Sequence, residues 1–408
     1  MNVLFWTFFP FMSIYFADSF GKATAGALLI GSQVIAVFAN LLGGFAADRY
    51  GRKKMMVLSS IGQGVAFFFF AAANSPWYDS PMLTFLAFSA LGVFGSLYWP
   101  ASHAMVADVV AEKDRSQVFA VFYTAINIAV VLGPVIGGFF FFEHRFELLL
   151  ISAIVSIALG IILLKYLRET APSIGNKPML KGKEDMTWYQ SLALQLQDYR
   201  VIVSDKTFLL FILAGVLAAQ TFMQMDLLMA VYTTEFIEKQ TLFSIGSWSL
   251  EMTGEKAFGF IIAENGLLVA LFTVIVTRVT AGFKERYVFV ASSLTYGIAI
   301  LLFGSTTNIW VLFVAMAVFT LGELLVVGIQ ESFVSKLAPE QMRGQYFAAA
   351  SLRFTIGRTI APISIPLTTW VGYNWTFILL FMLAALSAVF YAIMFKRMDK
   401  VKREQLPA

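Results

Sequence analysis

Among the few ionisable residues that interrupt otherwise apolar stretches of this chain are Asp226, Glu264, Glu323 and Arg353. A carboxylate in such surroundings can hold a proton or a cation and exchange one for the other, and an arginine can serve as its counter-charge. Counted along helices at about 1.5 Å per residue, Asp226 and Glu264 fall at similar depth in the outer third, and Glu323 and Arg353 nearer the middle. Depth therefore predicts Asp226 with Glu264 as a carboxylate pair sharing a proton, and Glu323 with Arg353 as an ion pair. Met223, Gln224 and Met225, beside Asp226, read as an adaptable wall for ligands of varied shape. Arg358 lies about 140° round the helix from Arg353, so at most one of the two is expected to face the cavity.

Other chemistries find little support. Cysteine is absent, which removes thiolate nucleophiles, thiolate metal sites and disulfides. His103 and His144 do not make a metal centre. No G-x-x-x-x-G-K-[ST] loop cradles ATP phosphates, and no nucleophile constellation suggests an enzyme. No cofactor is expected; a proton gradient is the expected energy source.

The elements that must position these groups are membrane spans. Of 408 residues 59% are hydrophobic and 13% charged, where a soluble domain carries roughly a quarter charged. Twelve stretches are long enough for a core of about 30 Å: 1–17, 25–47, 55–73, 82–107, 118–141, 148–167, 208–232, 258–277, 287–304, 309–334, 346–368 and 375–395. Lipid offers no partner for backbone groups, and strand-like alternation is missing, so the spans are read as helices. Alternate loops hold 23 Lys and Arg against 4 on the other side, which predicts a cytoplasmic central loop and C-terminus in the cell membrane. The net charge of +4 thus reflects topology and gives no reason to expect nucleic acid. The first span is short, which leads us to expect a natural start upstream of Met1.

The polar segment 168–207 divides six spans from six. A shift of 228 residues aligns Glu112, Arg115, Gln117, Phe119, Ala120, Ile128 and Pro134 with identical residues from Glu340 to Pro362. The expected organisation is an N-terminal six-helix bundle (1–167), a cytoplasmic linker (168–207), a C-terminal six-helix bundle (208–395) and a cytoplasmic tail (396–408). A parallel repeat places the site between the bundles near the midplane.

Three local motifs suggest moving parts. Gly44, Asp48, Arg49, Gly51 and Arg52 fit G-x-x-x-D-[RK]-x-G-R-[RK] between the second and third spans, where glycines permit a tight turn and the charges can form a latch. Asp108, followed by Arg115, is a plausible partner for Arg49 or Arg52. Gly133, Pro134, Gly137 and Gly138 in the fifth span combine a kink with small residues for close packing. With the 6+6 spans, these motifs resemble the major facilitator superfamily, and the segments around Asp226 and Glu323 resemble its drug/proton antiporters of the LmrP type. The resemblance implies proton-coupled export of lipophilic or cationic small molecules by alternating access, hence multidrug efflux. Asp226, Glu323 and Glu264 would handle protons, while Asp226, Glu323, Arg353, Met223, Gln224 and Met225 would bind substrate. The motif residues would act as gates. The expected partners are small molecules, protons and the bilayer, and the chain is expected to work as a monomer. Export or symport of one dedicated metabolite or lipid-linked molecule is the alternative.

Overall fold

A computed structural model describes residues 2–111, 115–170, 189–190, 193, 204–245, 248–338 and 343–404. Among the described residues ten helical stretches are long and apolar enough to cross a membrane, and Ala125–Phe140 is a shorter apolar helix. One of the ten, Ala349–Lys400, has 52 residues, far more than the ~20 that one crossing needs. It is broken at Gly372 (φ 80, ψ 164), a left-handed conformation that favours glycine. Twelve crossings result, in agreement with the sequence. The first runs from Val3 to Phe20, past the expected end at 17. Most of the segment 168–207 lies outside the described residues.

Among the described residues several spans are not α-helical throughout; the tenth, for one, is interrupted by a turn between Val327 and Gln330. Short 3-10 turns occupy Phe9–Phe11 in the first, Met223–Asp226 in the seventh and Ala361–Ile363 in the eleventh. Pro10 and Pro362 account for two of these, since proline removes a backbone donor and crowds the preceding turn. The third is held by a side chain. Gln224 Nε2 donates to Gln220 O (3.1 Å) and Ala361 O (3.3 Å), while its Oε1 accepts from Ser364 Oγ (2.6 Å).

The sequence reading gave no strands, yet two small hairpins form. β1 (Asn74–Ser75) pairs with β2 (Tyr78–Asp79), and β3 (Gln240–Ile245) pairs antiparallel with β4 (Trp248–Met252). Gln240 fastens the larger hairpin to the turn before the tenth span, donating to Thr307 O (2.7 Å) and accepting from Ile309 N (3.2 Å).

The Lys/Arg-rich ends of the spans define a basic face; the hairpins lie at the far face. Buried apolar side chains form three clusters. The largest sits toward the far face and unites both halves, with Phe11, Phe16 and Phe70 from one and Phe258, Phe303 and Phe319 from the other. Toward the basic face there are two separate cores. Phe208, Phe211, Phe289 and Phe333 belong to the C-terminal half, and Met55, Met56, Ala101 and Met105 to the N-terminal half. Among the described residues, buried apolar packing therefore joins the halves at the far face, and each half has its own buried core at the basic face.

Candidate functional site: a charged seam between two bundles

The join between the halves depends on small residues. Gly133 and Gly137 face the first span, where an added Cβ would strike Trp6 and Thr7 O. On the opposite side of the same helix, Gly138 meets Glu255 O and Gly259, and Gly259 meets Pro134 O. One motif thus joins two neighbouring helices, one of them in the other half. A second close approach sets Gly26 of the second span against Pro366 of the eleventh.

Asp226 ends the 3-10 turn of the seventh span, at this seam. Its backbone carbonyl accepts from Ser13 Oγ of the first span (3.0 Å), a bond between the halves. Its Oδ1 is buried with no hydrogen-bond partner among the described residues. Arg358 is the chief opposite charge acting on Asp226, and Glu323 is the like charge that acts on it. Arg358 is exposed yet closely surrounded by protein, as expected of a group lining open space within the molecule.

Glu323 is held by the eighth span. Asn265 Nδ2 donates to Glu323 Oε2 (3.1 Å) and to Thr320 Oγ1 (3.0 Å), and Asn265 and Thr320 are both buried. Arg353 is 2% exposed, lies 4.3 Å over the Phe211 ring and donates from Nε to Ala350 O (2.8 Å). Its stem crosses Gly215, where no larger residue fits.

Several expected pairings are corrected. No direct ion pair joins Glu323 and Arg353 among the described residues, although both line one cavity inside the C-terminal bundle. Among the described residues no hydrogen bond joins Asp226 to Glu264, and Arg358 and Glu323 are the charges that act on Asp226. Glu264 is half-buried beside Asn265, with Oε2 unpartnered among the described residues. Depth alone could not see that Asn265, one residue on, is turned by 100° toward Glu323. The two arginines separate as their spacing predicts: Arg353 points into its own bundle and Arg358 toward Asp226. Gln224 (0% exposed) and Met225 (3%) are engaged in packing at the seam, and only Met223 is half-buried. The expected ligand wall is reduced accordingly.

At the basic face, Gly51 adopts φ 107 and turns the chain into the third span. Arg52, 8% exposed, forms an ion pair with Asp108, as anticipated, and donates to Ala104 O (2.9 Å). Sequence reasoning missed Glu169, at the end of the sixth span. Its Oε1 accepts from Arg52 N (2.8 Å) and Lys53 N (3.3 Å), capping the third span from 117 positions away. No local pattern announces such a partner. Arg49 is exposed at its helix end. The side-chain surroundings of Gly44, Asp48 and Arg115 lie outside the described residues.

Two bundles, twelve crossings and a charged seam are a transporter's architecture, and the comparison with known families agrees. The Major Facilitator Superfamily model matches residues 2–254 and again 247–408. The chain belongs to the major facilitator superfamily. Among superfamily relatives, the protein described as a "Na(+), Li(+), K(+)/H(+) antiporter" of Planococcus maritimus is 55% identical over 402 residues, 98% of this chain and 94% of the relative. Multidrug resistance protein MdtH of Salmonella newport (strain SL254) is 23% identical over 380 residues, 91% of this chain and 83% of the relative. A solved POT family transporter in complex with 5-aminolevulinic acid superposes with a TM-score of 0.74 over 96% of this chain and 94% of its own, at 18% identity. That likeness shows the fold. The protein is a multi-pass membrane transporter and not an enzyme.

Proposed function

We propose that this superfamily member exchanges monovalent cations for protons, exporting the cation across the plasma membrane, with the basic face in the cytoplasm. The observation that carries the reading is Asp226. A buried carboxylate oxygen without a hydrogen-bond partner among the described residues, at a helix break between two bundles, suits an occupant that brings one positive charge. The 55% identical relative, by its description, exchanges such ions.

We read the separate cores found at the basic face among the described residues as those of an inward-open state. A cytoplasmic cation replaces Arg358 as the counter-charge of Asp226, the bundles rock about the seam, and the far face opens. An external proton then competes for the carboxylates, the cation leaves, and the proton rides inward on Asp226 or Glu323. A ligand shifts the two states only by its preference between them, and neutralising Asp226 supplies that preference.

Purified protein in liposomes under an imposed pH gradient, monitored with a pH-sensitive dye, tests the assignment. Sodium, lithium or potassium should dissipate the gradient, and Asp226→Asn or Glu323→Gln should slow this by about a hundredfold, the scale of losing a proton-transfer group. Lipophilic cations are the second reading, favoured by half-buried Met223 beside Asp226 and by the likeness to MdtH. Dissipation by dyes but by none of the three ions would establish that reading in place of the first. A gradient untouched by either class would remove both.

A further inference from the structure

The eighth span (Gly254–Thr280) and the ninth (Glu285–Gly304) are joined by a short turn at the basic face, yet both pack along the tenth span rather than along each other. Between them this leaves a groove of about 410 Å³, with Ile275 and Val279 on one wall, Tyr287 and Ala291 on the other, and Leu321 and Leu325 at the floor. The two leucines stand two residues either side of Glu323, hence about 160° round the tenth span from it, so the groove opens away from the bundle interior and toward lipid. Ile275, Val279, Tyr287 and Leu321 are accordingly exposed. The lining is apolar, because the one other hydroxyl in it, that of Thr280, donates to Thr277 O (3.1 Å). From the start of the ninth span down to Ala291 the groove is about 10 Å deep, the zone just beneath lipid headgroups.

We infer that this groove is a binding site for one anionic phospholipid, with an acyl chain lying over Leu321 and Leu325 and the phosphate held by Lys284 and Arg278. Charge at the mouth chooses the occupant. Lys284 stands immediately before the ninth span, four and seven residues ahead of Val288 and Ala291, and so above the wall that they form. Arg278 follows Ile275 by three residues, at the rim of the opposite wall. Both are exposed, and neither forms an ion pair among the described residues. Their charged neighbours are already matched, Glu285 by Lys336 and Arg286 by Asp399, so two positive charges stay uncompensated beside an apolar slot. The ninth span also begins without a side-chain cap, which turns the positive end of its backbone toward the same headgroup zone. Basic pockets between spans at this depth suit anionic headgroups, and Tyr287 sits where interfacial aromatic residues gather. The eighth span meets the fifth span of the other half at Gly259 and Gly266, so a lipid held here touches a helix of the seam.

Native mass spectrometry of the purified, detergent-solubilised protein, titrated with phosphatidylglycerol or with phosphatidylcholine of the same chains, tests the site. The first phosphatidylglycerol should bind about tenfold or more tighter than phosphatidylcholine, and Lys284→Gln or Arg278→Gln should each weaken it by about fivefold while phosphatidylcholine is unaffected. Lys165→Gln removes an exposed lysine at the same face of the other half and should change either affinity by less than about twofold. Ala291→Trp, at an exposed position, fills the groove and should abolish the tight binding. Equal affinity for the two lipids, or equal losses from Lys284→Gln and Lys165→Gln, would overturn the inference in favour of diffuse surface attraction. Tight binding retained by Ala291→Trp would exclude the groove as its place, and a dimer that only this variant dissociates would give the groove to a second copy of the chain. If Ala291→Trp does not fold, the glutamine variants, both at exposed positions, decide alone.

Discussion

Asp205 performs two tasks at the entry of the seventh span. Its Oδ1 accepts from Thr207 N (2.8 Å) and Phe208 N (3.1 Å), capping the helix, and its Oδ2 accepts from Tyr346 Oη (2.8 Å) at the entry of the eleventh. Asp205→Ala should cost about 1 kcal/mol for the cap and about 1.5 to 3 for the bond to a charged partner, read as a lower Tm in detergent. Asp205→Asn, which retains a capping oxygen, should lose less. Tyr346→Phe removes only the bond to Asp205 Oδ2 and should lower Tm by less than Asp205→Ala. At this scale the sequence identified Asp226, Glu323 and the Arg52–Asp108 pair, because charge in an apolar stretch or beside a glycine turn stands out. Glu169, Asn265 and Ser13 were not legible, since each acts on a partner in another span.

The spans themselves were legible to within a few residues at most ends because bilayer thickness fixes helix length, whatever the neighbours do. Where they bend was not read from the sequence: Pro10 and Pro362 sit in two breaks while Pro134, where a kink was expected, lies inside a continuous helix, and the break at Met223–Asp226 depends on Gln224 finding Ala361 and Ser364 in a distant helix. The β3–β4 hairpin escaped because a short loop between apolar spans carries no periodicity long enough to read. Glycines offer a sharper test of the helix contacts. Gly137→Ala places a methyl against Thr7 O and Phe11, so the first and fifth spans must part, and thermal stability and transport should both decline. Gly95→Ala, also within a helix but with nothing near it, should be neutral or stabilise by about 0.5 to 1 kcal/mol through backbone entropy. Equal effects in Tm measurements would refute the assigned packing.

Across the whole molecule, the far face is closed by a latch as well as by apolar contact. Lys22 Nζ of the N-terminal half pairs with Glu235 Oε2 (2.6 Å) and lies 4.7 Å over the Tyr373 ring, while Tyr373 Oη donates to the same Glu235 oxygen (2.6 Å). Outward opening must break this group. Lys22→Cys with Glu235→Cys, cross-linked by a short reagent, should arrest transport, and reduction should restore it; continued transport in the cross-linked protein would show that the halves do not part there. The helix that follows Gly372 continues to Glu404, about 48 Å at 1.5 Å per residue, well beyond a hydrocarbon core of about 30 Å. Arg286 pairs with Asp399 and ties the projecting part to the ninth span. The C-terminal bundle thus carries its own pointer. A rigid rod magnifies a small tilt at its base into a larger sweep at its tip, so a spin label near Lys400, paired with one on the N-terminal bundle, would turn the rocking of the two halves into a distance that can be followed as each ion arrives.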